Sequence, residues 1–486
     1  MAKNTWLLMA ILIIASFLRL YNLVPVNNAG LPPGLYPDEA MNGNNAVEAL
    51  ETGSWKVFYP ENFGREGLFI NIQSLFVAAF GNTAWALRLP SAIFGILTVL
   101  GLYFFTRTLF HGNERLALLA SFLLAVSFWH INFSRIGFRA ITAPFFLTWG
   151  LYFLLKAFDS KRPYWNAIAG GIIYGLGFYS YIAYRATPLL VLALAAIFLL
   201  GILAMSRKKI ISVFSLFLFI SILVALPLSI HFFKNPSDFF GRTAGISVFN
   251  SQTPIRDLSL NIFKTFGMFN VVGDFNWRHN IAGKAELFWP IGTLFFIGMY
   301  LSAKKIILEK LRAFREIIIF GWFGLVLLPV IFSNEGLPHA LRSLLAIPPV
   351  FIFAAIGGLA TYDLLKTKIK SRLFPVFIYL FLSLLVFEAY NSYFVYWGEN
   401  PNVKNAFAYN DFVAARQLNA LPKGISKYVI VKDANGEIRR DYPISLQSVL
   451  FLTDTFSIQK RKEKNIFYIP PEGVKNIPKN SFIISL

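Results

Sequence analysis

Cysteine is absent from the 486-residue chain, which rules out disulfide scaffolds, thiolate nucleophiles and cysteine-ligated zinc. Charge is scarce too. Only 14% of residues are charged, against 56% hydrophobic and 17% aromatic, and the mean hydropathy is +0.57, far from soluble usage. Also missing are a phosphate-cradling GxxxxGK[ST], an HExxH and a metal-type histidine pair, so ATPase and zincin chemistries lose support. Acidic residues are rare inside the apolar segments, with Glu388 the main exception, which argues against an ion-coupled transporter. No internal repeat or low-complexity stretch interrupts the pattern.

What is present is a succession of apolar runs long enough to cross a bilayer, for which about 20 residues suffice. They predict an all-α polytopic membrane protein with eleven spans near 5–23, 86–107, 116–133, 139–157, 164–182, 186–205, 210–231, 286–303, 316–333, 342–362 and 373–396. The first, from Trp6 to Leu20, reads as an uncleaved helix, since no small-residue cleavage site follows it. The formal charge of +20 is distributed as a topology signal and not as a nucleic-acid footprint. Lys and Arg gather in the connections around 107–115, 156–162, 207–209, 304–315 and 366–372. If these face the cytoplasm, loops 24–85 and 232–285, turns 134–138 and 334–341 and the tail all lie outside. The apolar stretch 67–81 is too short to span and reads as an interfacial or re-entrant helix. The simplest location is the plasma membrane, with the lipid bilayer itself as a partner.

Two domains follow. Residues 1–397 form the transmembrane domain, and 398–486 a small soluble α/β domain outside the membrane. The tail mixes 13 basic with 8 acidic residues; "NDFVAARQLNAL" has helical periodicity, while "KYVIVKD", "NIFYIP" and "SFIIS" are short strand-like runs.

The residues able to carry chemistry cluster in the external segments. In "LYPDEAMNGNNAVEALE", Pro37 followed by Asp38 and Glu39 marks a helix start, where Asp38 would cap free amides and the dipole would favour Glu39. On that helix Asp38, Asn42 and Asn45 share one face, suited to a polar cavity; Ala40, Gly43, Val47 and Leu50 form another, suited to the bilayer surface. The turn "FSRIGFRA" sets Arg135 and Arg139 four apart at helix ends, where they either snorkel or grip a phosphate. "SNEGLPHALRSLLAIPPV" adds His339 and Arg342, three apart at a helix start and a second phosphate contact. Loop 232–285 contributes Asp274, Trp277, Arg278 and His279, an aromatic and polar mixture fit for a sugar or for an interfacial belt. Glu66, Trp55 and Tyr59 are further candidates in the first loop.

A carboxylate and several arginines on one membrane face suit chemistry on a lipid-linked phosphosugar. The carboxylate would take a proton from an acceptor hydroxyl while cations offset the charge on the departing phosphate. Displacement opposite the leaving group would invert the anomeric carbon.

"PDEAMNGNNAVEAL", "FGNTAWALRLPSAIFGILTVLGLYFFTRTLF", "SFWHINFSRIGFRA" and "PHALRSLLAIPPVFIFAAIGG", in that order over residues 5–362, resemble the GT-C superfamily of integral-membrane glycosyltransferases, in particular the protein O-mannosyltransferase-like (family 39) and aminoarabinose-transferase-like group. The resemblance implies a polyprenyl-phosphate-sugar donor, with Asp38 as candidate base assisted by Glu39. It makes Arg135, Arg139, His339 and Arg342 donor-phosphate candidates, with Glu66 and Asn42 also at the substrate. A divalent cation, Mg or Mn, at the first-loop acids is an open option, because some superfamily members use one. No "WWDYG"-like motif is present, which disfavours transfer of a preassembled oligosaccharide to asparagine. The acceptor, a protein, lipid or glycan hydroxyl, is left open. A lipid or glycan flippase, indifferent to Asp38, and a scaffold that presents the tail are the alternatives from other classes.

Overall fold

The computed structural model describes residues 2–25, 30–200, 206–432, 438–439 and 442–486. Each of the eleven expected ranges is helical in whole or in part; the end of 186–205 and the close of "KYVIVKD" lie outside the described residues. Among the described residues seven helical stretches are long and apolar enough to cross a membrane: Ala84–Leu109, Arg139–Asp159, Ile182–Leu199, Arg207–Lys234, Trp289–Ile331, Leu344–Lys368 and Phe374–Trp397. The fifth spans 43 residues, roughly 65 Å of helix at 1.5 Å per residue. It divides at Lys310, whose φ of 51° ends Trp289–Glu309, and Phe314–Ile331 follows. Residues 67–81 form the 14-residue apolar helix Gly67–Phe80. The expected span 116–133 is broken into Glu114–Ala125 and Phe128–Phe133, because Ser127 caps a new helix by accepting the His130 amide.

The chain folds as two compact units, one of Met1–Arg19, Ala92–Ser134 and Arg139–Tyr393, the other of Leu20–Ser91, Arg135–Phe138 and Phe394–Leu486. In the first, glycine lets helices touch backbone to backbone, the interface type favoured where lipid removes the hydrophobic drive for association. A Cβ on Gly298 would lie 1.8 Å from the Phe353 carbonyl oxygen, and one on Gly357 2.0 Å from that of Leu294, so Trp289–Glu309 and Ile347–Lys368 meet too closely there for any side chain. The Arg19 guanidinium is wholly buried here, donating to the carbonyls of Ala15 and Ala125 and lying 2.7 Å from His130 Nδ1.

The second unit joins Leu20–Ser91 to the C-terminal tail. Its tail carries a three-stranded parallel sheet in which Lys427–Ile430 is central, flanked by Ile466–Ile469 and Phe482–Ser485. The register pairs Lys427 with Ile466 and Phe482. These strands are the three strand-like runs of the sequence, and Tyr409–Ala420 is the expected tail helix. Val429, Val431, Leu418, Val449, Leu450 and Ile466 form one core. A second core is mixed: Phe451 from the tail packs among Leu35, Ala40, Val47, Val77, Ala84 and Leu87. Ala40 and Val47 thus face protein, not the bilayer surface that the helical periodicity suggested. Leu50 remains 37% exposed.

Candidate functional site

The helix Pro37–Thr52 starts differently from the expected cap. Tyr36 is the N-cap, Pro37 occupies the first turn, and the Glu39 carboxylate, not Asp38, closes the capping box by accepting the Tyr36 amide at 3.3 Å. Glu39 is fully buried and paired fork to fork with Arg88, at 2.8 Å from Nε and 2.9 Å from Nη2. It also accepts the Gly137 amide at 2.7 Å. Arg88 completes its fork with the carbonyls of Pro32 and Gly34. This network fixes the helix start, the preceding loop and the turn 135–138 against one another.

Asp38, one residue earlier, is partly exposed. It accepts a 3.0 Å hydrogen bond from Asn62 Nδ2 and pairs with no cation among the described residues. The shared face of Asp38, Asn42 and Asn45 is real, but it meets the hairpin of Phe58–Tyr59 and Arg65–Glu66. Arg65 donates to Asn42 Oδ1 at 2.6 Å and to Asn45 Oδ1 at 2.7 Å, and Asn42 Nδ2 donates to the Gly137 carbonyl. Glu66 is buried at the N-cap of Gly67–Phe80. Tyr59 is buried with its hydroxyl on Asn71, whereas Trp55 is 45% exposed. Arg135, in the same unit, is buried, donates to the Leu31 carbonyl and lies 5.0 Å from the Phe394 ring centre.

The other unit holds the remaining candidates. Arg139 opens a short 3-10 turn before Thr142–Asp159 and stands 5.7 Å from the Tyr181 ring centre. His339 and Arg342 do not share a helix face, because regular helix begins only after Leu344 and both sit in the preceding turn. Arg342 turns to Glu335 and Ser333. His339 instead stacks on His279, with ring centres 5.1 Å apart, beside Asp274.

Asp274 organises this second cluster. Its Oδ2 accepts from His279 Nδ1 at 2.8 Å and from the Ala340 amide at 2.9 Å, and its Oδ1 accepts the Asn276 amide. Burial holds His279 below the ordinary imidazole range, overriding the opposite pull of Asp274. Donor atoms of Asp274, His279 and His339 lie within 4.8 Å of one another, a set compatible with a divalent cation. Two imidazoles suit zinc-like ions better than magnesium. The first-loop acids do not offer the metal pair considered from sequence, because both Glu39 oxygens are bound to Arg88. Neighbouring groups tie the cluster down: Asn132 donates to the Arg278 carbonyl, Trp129 to the Ala340 carbonyl, and buried Glu286 accepts the Asp274 amide.

Sequence reasoning missed Arg88, Arg65 and Glu286. For Arg88 the signal existed: an arginine in an otherwise apolar helix requires a buried partner, and the first-loop acids, read as catalytic, include one that could serve.

Residues 68–231, about a third of the chain, match the family described as dolichyl-phosphate-mannose-protein mannosyltransferase. No protein with curated annotation matches in sequence. Among solved structures, ArnT from Cupriavidus metallidurans bound to undecaprenyl phosphate superposes with a TM-score of 0.57 at 13% identity, covering 99% of this chain and 89% of that one. The oligosaccharyltransferase AglB from Archaeoglobus fulgidus, with an inhibitory peptide and a dolichol-phosphate, gives 0.55 at 16% identity over 97% of this chain. The same enzyme with Zn and sulfate gives 0.52 at 15% identity over 92%. The chain spans 70% and 61% of those two archaeal chains. At these identities the likeness is one of fold.

Proposed function

We propose that the chain transfers a sugar from a polyprenyl-phosphate-linked donor to a hydroxyl acceptor at the outer face of the membrane, with inversion, a reading supported by the family match over residues 68–231 and by the likeness of its fold to membrane glycosyltransferases. The observation that carries this reading is the contrast between two adjacent carboxylates. Glu39 is buried and saturated, while Asp38 is accessible, cation-free among the described residues and mounted on the helix that Glu39 immobilises. An unpaired carboxylate on a rigid support is what a general base requires.

In the proposed reaction Asp38 accepts the proton of the acceptor hydroxyl as its oxygen bonds to the anomeric carbon. The bond from that carbon to the phosphate oxygen breaks on the opposite face, and the lipid phosphate leaves with the electron pair. Glu39 acts as a positioning residue, through Arg88 and the Gly137 amide. Arg135, Arg139, His339 and Arg342 remain the donor-phosphate candidates, with Arg342 the weakest because it already serves Glu335. The solved relatives that carry dolichol-phosphate or undecaprenyl phosphate support a lipid-phosphate donor. If a cation takes part, Asp274, His279 and His339 would be its donors.

Purified protein with a panel of radiolabelled polyprenyl-phosphate sugars tests this. Asp38→Asn should lower turnover by about 10²–10⁴-fold, the usual worth of a general base, while donor binding persists and the wild-type product carries the inverted anomer. Equal turnover in the variant would refute the assignment.

A further inference from the structure

A cavity of about 450 Å³ opens in the unit that holds the tail, between the loop after Gly67–Phe80, the end of helix Tyr409–Ala420 and the first residues of the parallel sheet. Its polar lining is Asn82, Asn419, Lys423, Lys427, Asp454 and Lys464. The one carboxylate is already engaged: Asp454 accepts from Asn82 Nδ2, and its other oxygen lies 2.9 Å from Lys460 Nζ and 3.3 Å from Lys464 Nζ. Lys427, only 2% exposed, donates to the Lys464 carbonyl at 3.0 Å and has no carboxylate partner among the described residues. Burial, and after it the charge of Lys464, hold Lys427 below the ordinary lysine range. Lys423 stands exposed at the rim.

A buried ammonium beside a like charge is costly unless an anion joins it. An adjoining chamber of about 210 Å³, sharing Asn82, Asn419 and Leu452, is lined by Pro25, Trp85, Phe412 and Arg416 and is mainly apolar. We propose that this cavity is a binding site for a phosphate-bearing ligand, whose oxyanion sits among Lys423, Lys427 and Lys464 and whose less polar remainder lies against Trp85 and Phe412. The ammonium groups and the two asparagine amides supply donors to oxygens that carry charge. The phosphate belongs either to a soluble molecule or to an anionic lipid headgroup. The proposal does not depend on the glycosyl-transfer reading.

The test is amine acetylation of the full-length protein read by mass spectrometry, with exposed Lys208 as internal standard. Inorganic phosphate at ten times its dissociation constant should slow labelling of Lys423 about tenfold, and Lys427→Met, which keeps the stem and removes the charge, should abolish that protection. Protection in phosphatidylglycerol nanodiscs but neither in phosphatidylcholine nanodiscs nor with free phosphate supports the site and assigns it a lipid headgroup. Should Lys427→Met fail to fold, Lys423→Gln provides the same comparison with Lys464 as reporter. Labelling unchanged by phosphate and by anionic lipid alike, or protection undiminished in the variants, overturns the proposal.

Discussion

Replacing Glu39 by glutamine would leave the Arg88 guanidinium, 2% exposed, without its counter-charge. Removing one partner of a buried ion pair costs about 3–5 kcal/mol, so Glu39→Gln should lower the thermal midpoint of the purified protein far more than Asp38→Asn, whose side chain is partly exposed. Glu39→Leu combined with Arg88→Met should recover much of that loss, because no uncompensated charge remains; a double variant no better than Glu39→Gln would contradict the pairing argument. Asp411 supplies a pH signature. Burial raises its carboxyl to about 6, from an ordinary value of 3.8. Between those values the folded state holds the proton more tightly than the unfolded chain, so this contribution to stability is greatest below about pH 4 and is lost as pH rises through 6. Thermal midpoints of wild type and Asp411→Asn measured from pH 4.5 to 7.5 should therefore diverge, the variant gaining relative stability at the upper end. Much at this scale was legible in the sequence. The polar face of Asp38, Asn42 and Asn45 followed from helical spacing. The separate fates of Asp38 and Glu39 did not, because they depend on Arg88, 49 positions further on.

Helix Pro37–Thr52 is seated by a knob from the tail. A Cβ on Gly43 would come within 2.5 Å of the Phe451 ring and 2.9 Å of Leu87. Gly43→Ala should thus destabilise by about 1–3 kcal/mol through overpacking, and Phe451→Ala by roughly 3–5 kcal/mol through the cavity it leaves. Combined, they should cost clearly less than their sum, since the new methyl occupies part of the vacated space; strict additivity in a double-mutant cycle would show that the two residues do not touch in solution. Polar contacts work beside them: Asn44 Nδ2 donates to Gln447 Oε1 at 2.8 Å, and Ser448 Oγ to the Leu35 carbonyl. The local periodicity of "AMNGNNAVEAL" correctly gave a helix with two faces. It could not say what covers the apolar face, because lipid and a buried phenylalanine ask for the same residue types. The turn at His339 failed for a related reason: "ALRSLLAIPPV" has helical spacing, but backbone bonding of regular helix is taken up only after Leu344.

Across the whole molecule, apolar run length was the strongest signal: each expected span is helical in whole or in part, and among the described residues seven helical stretches are long and apolar enough to cross a membrane. How the chain partitions was beyond the sequence: residues 20–91 and 394–486 join one unit through pairings hundreds of positions apart that leave no local pattern. Orientation rests on the basic connections alone and is open to direct measurement. The cysteine-free chain is a ready background for single-cysteine labelling. With intact cells, a membrane-impermeant maleimide should modify Lys479→Cys and leave Lys208→Cys untouched until the membrane is permeabilised; the reverse pattern would invert the topology and remove the proposed site from the outer face.

The seat on which the first-loop helix rests is also separated from it in time. Asn44 leaves the ribosome 403 residues before Gln447, an interval on the order of 20–80 s at ordinary elongation rates. Throughout it the helix carrying Asp38 has neither Phe451 nor Ser448 to hold it. The nascent chain therefore inserts its membrane segments while that helix is held at its start by Arg88 and Gly137, and its apolar face is covered only once the tail has been made.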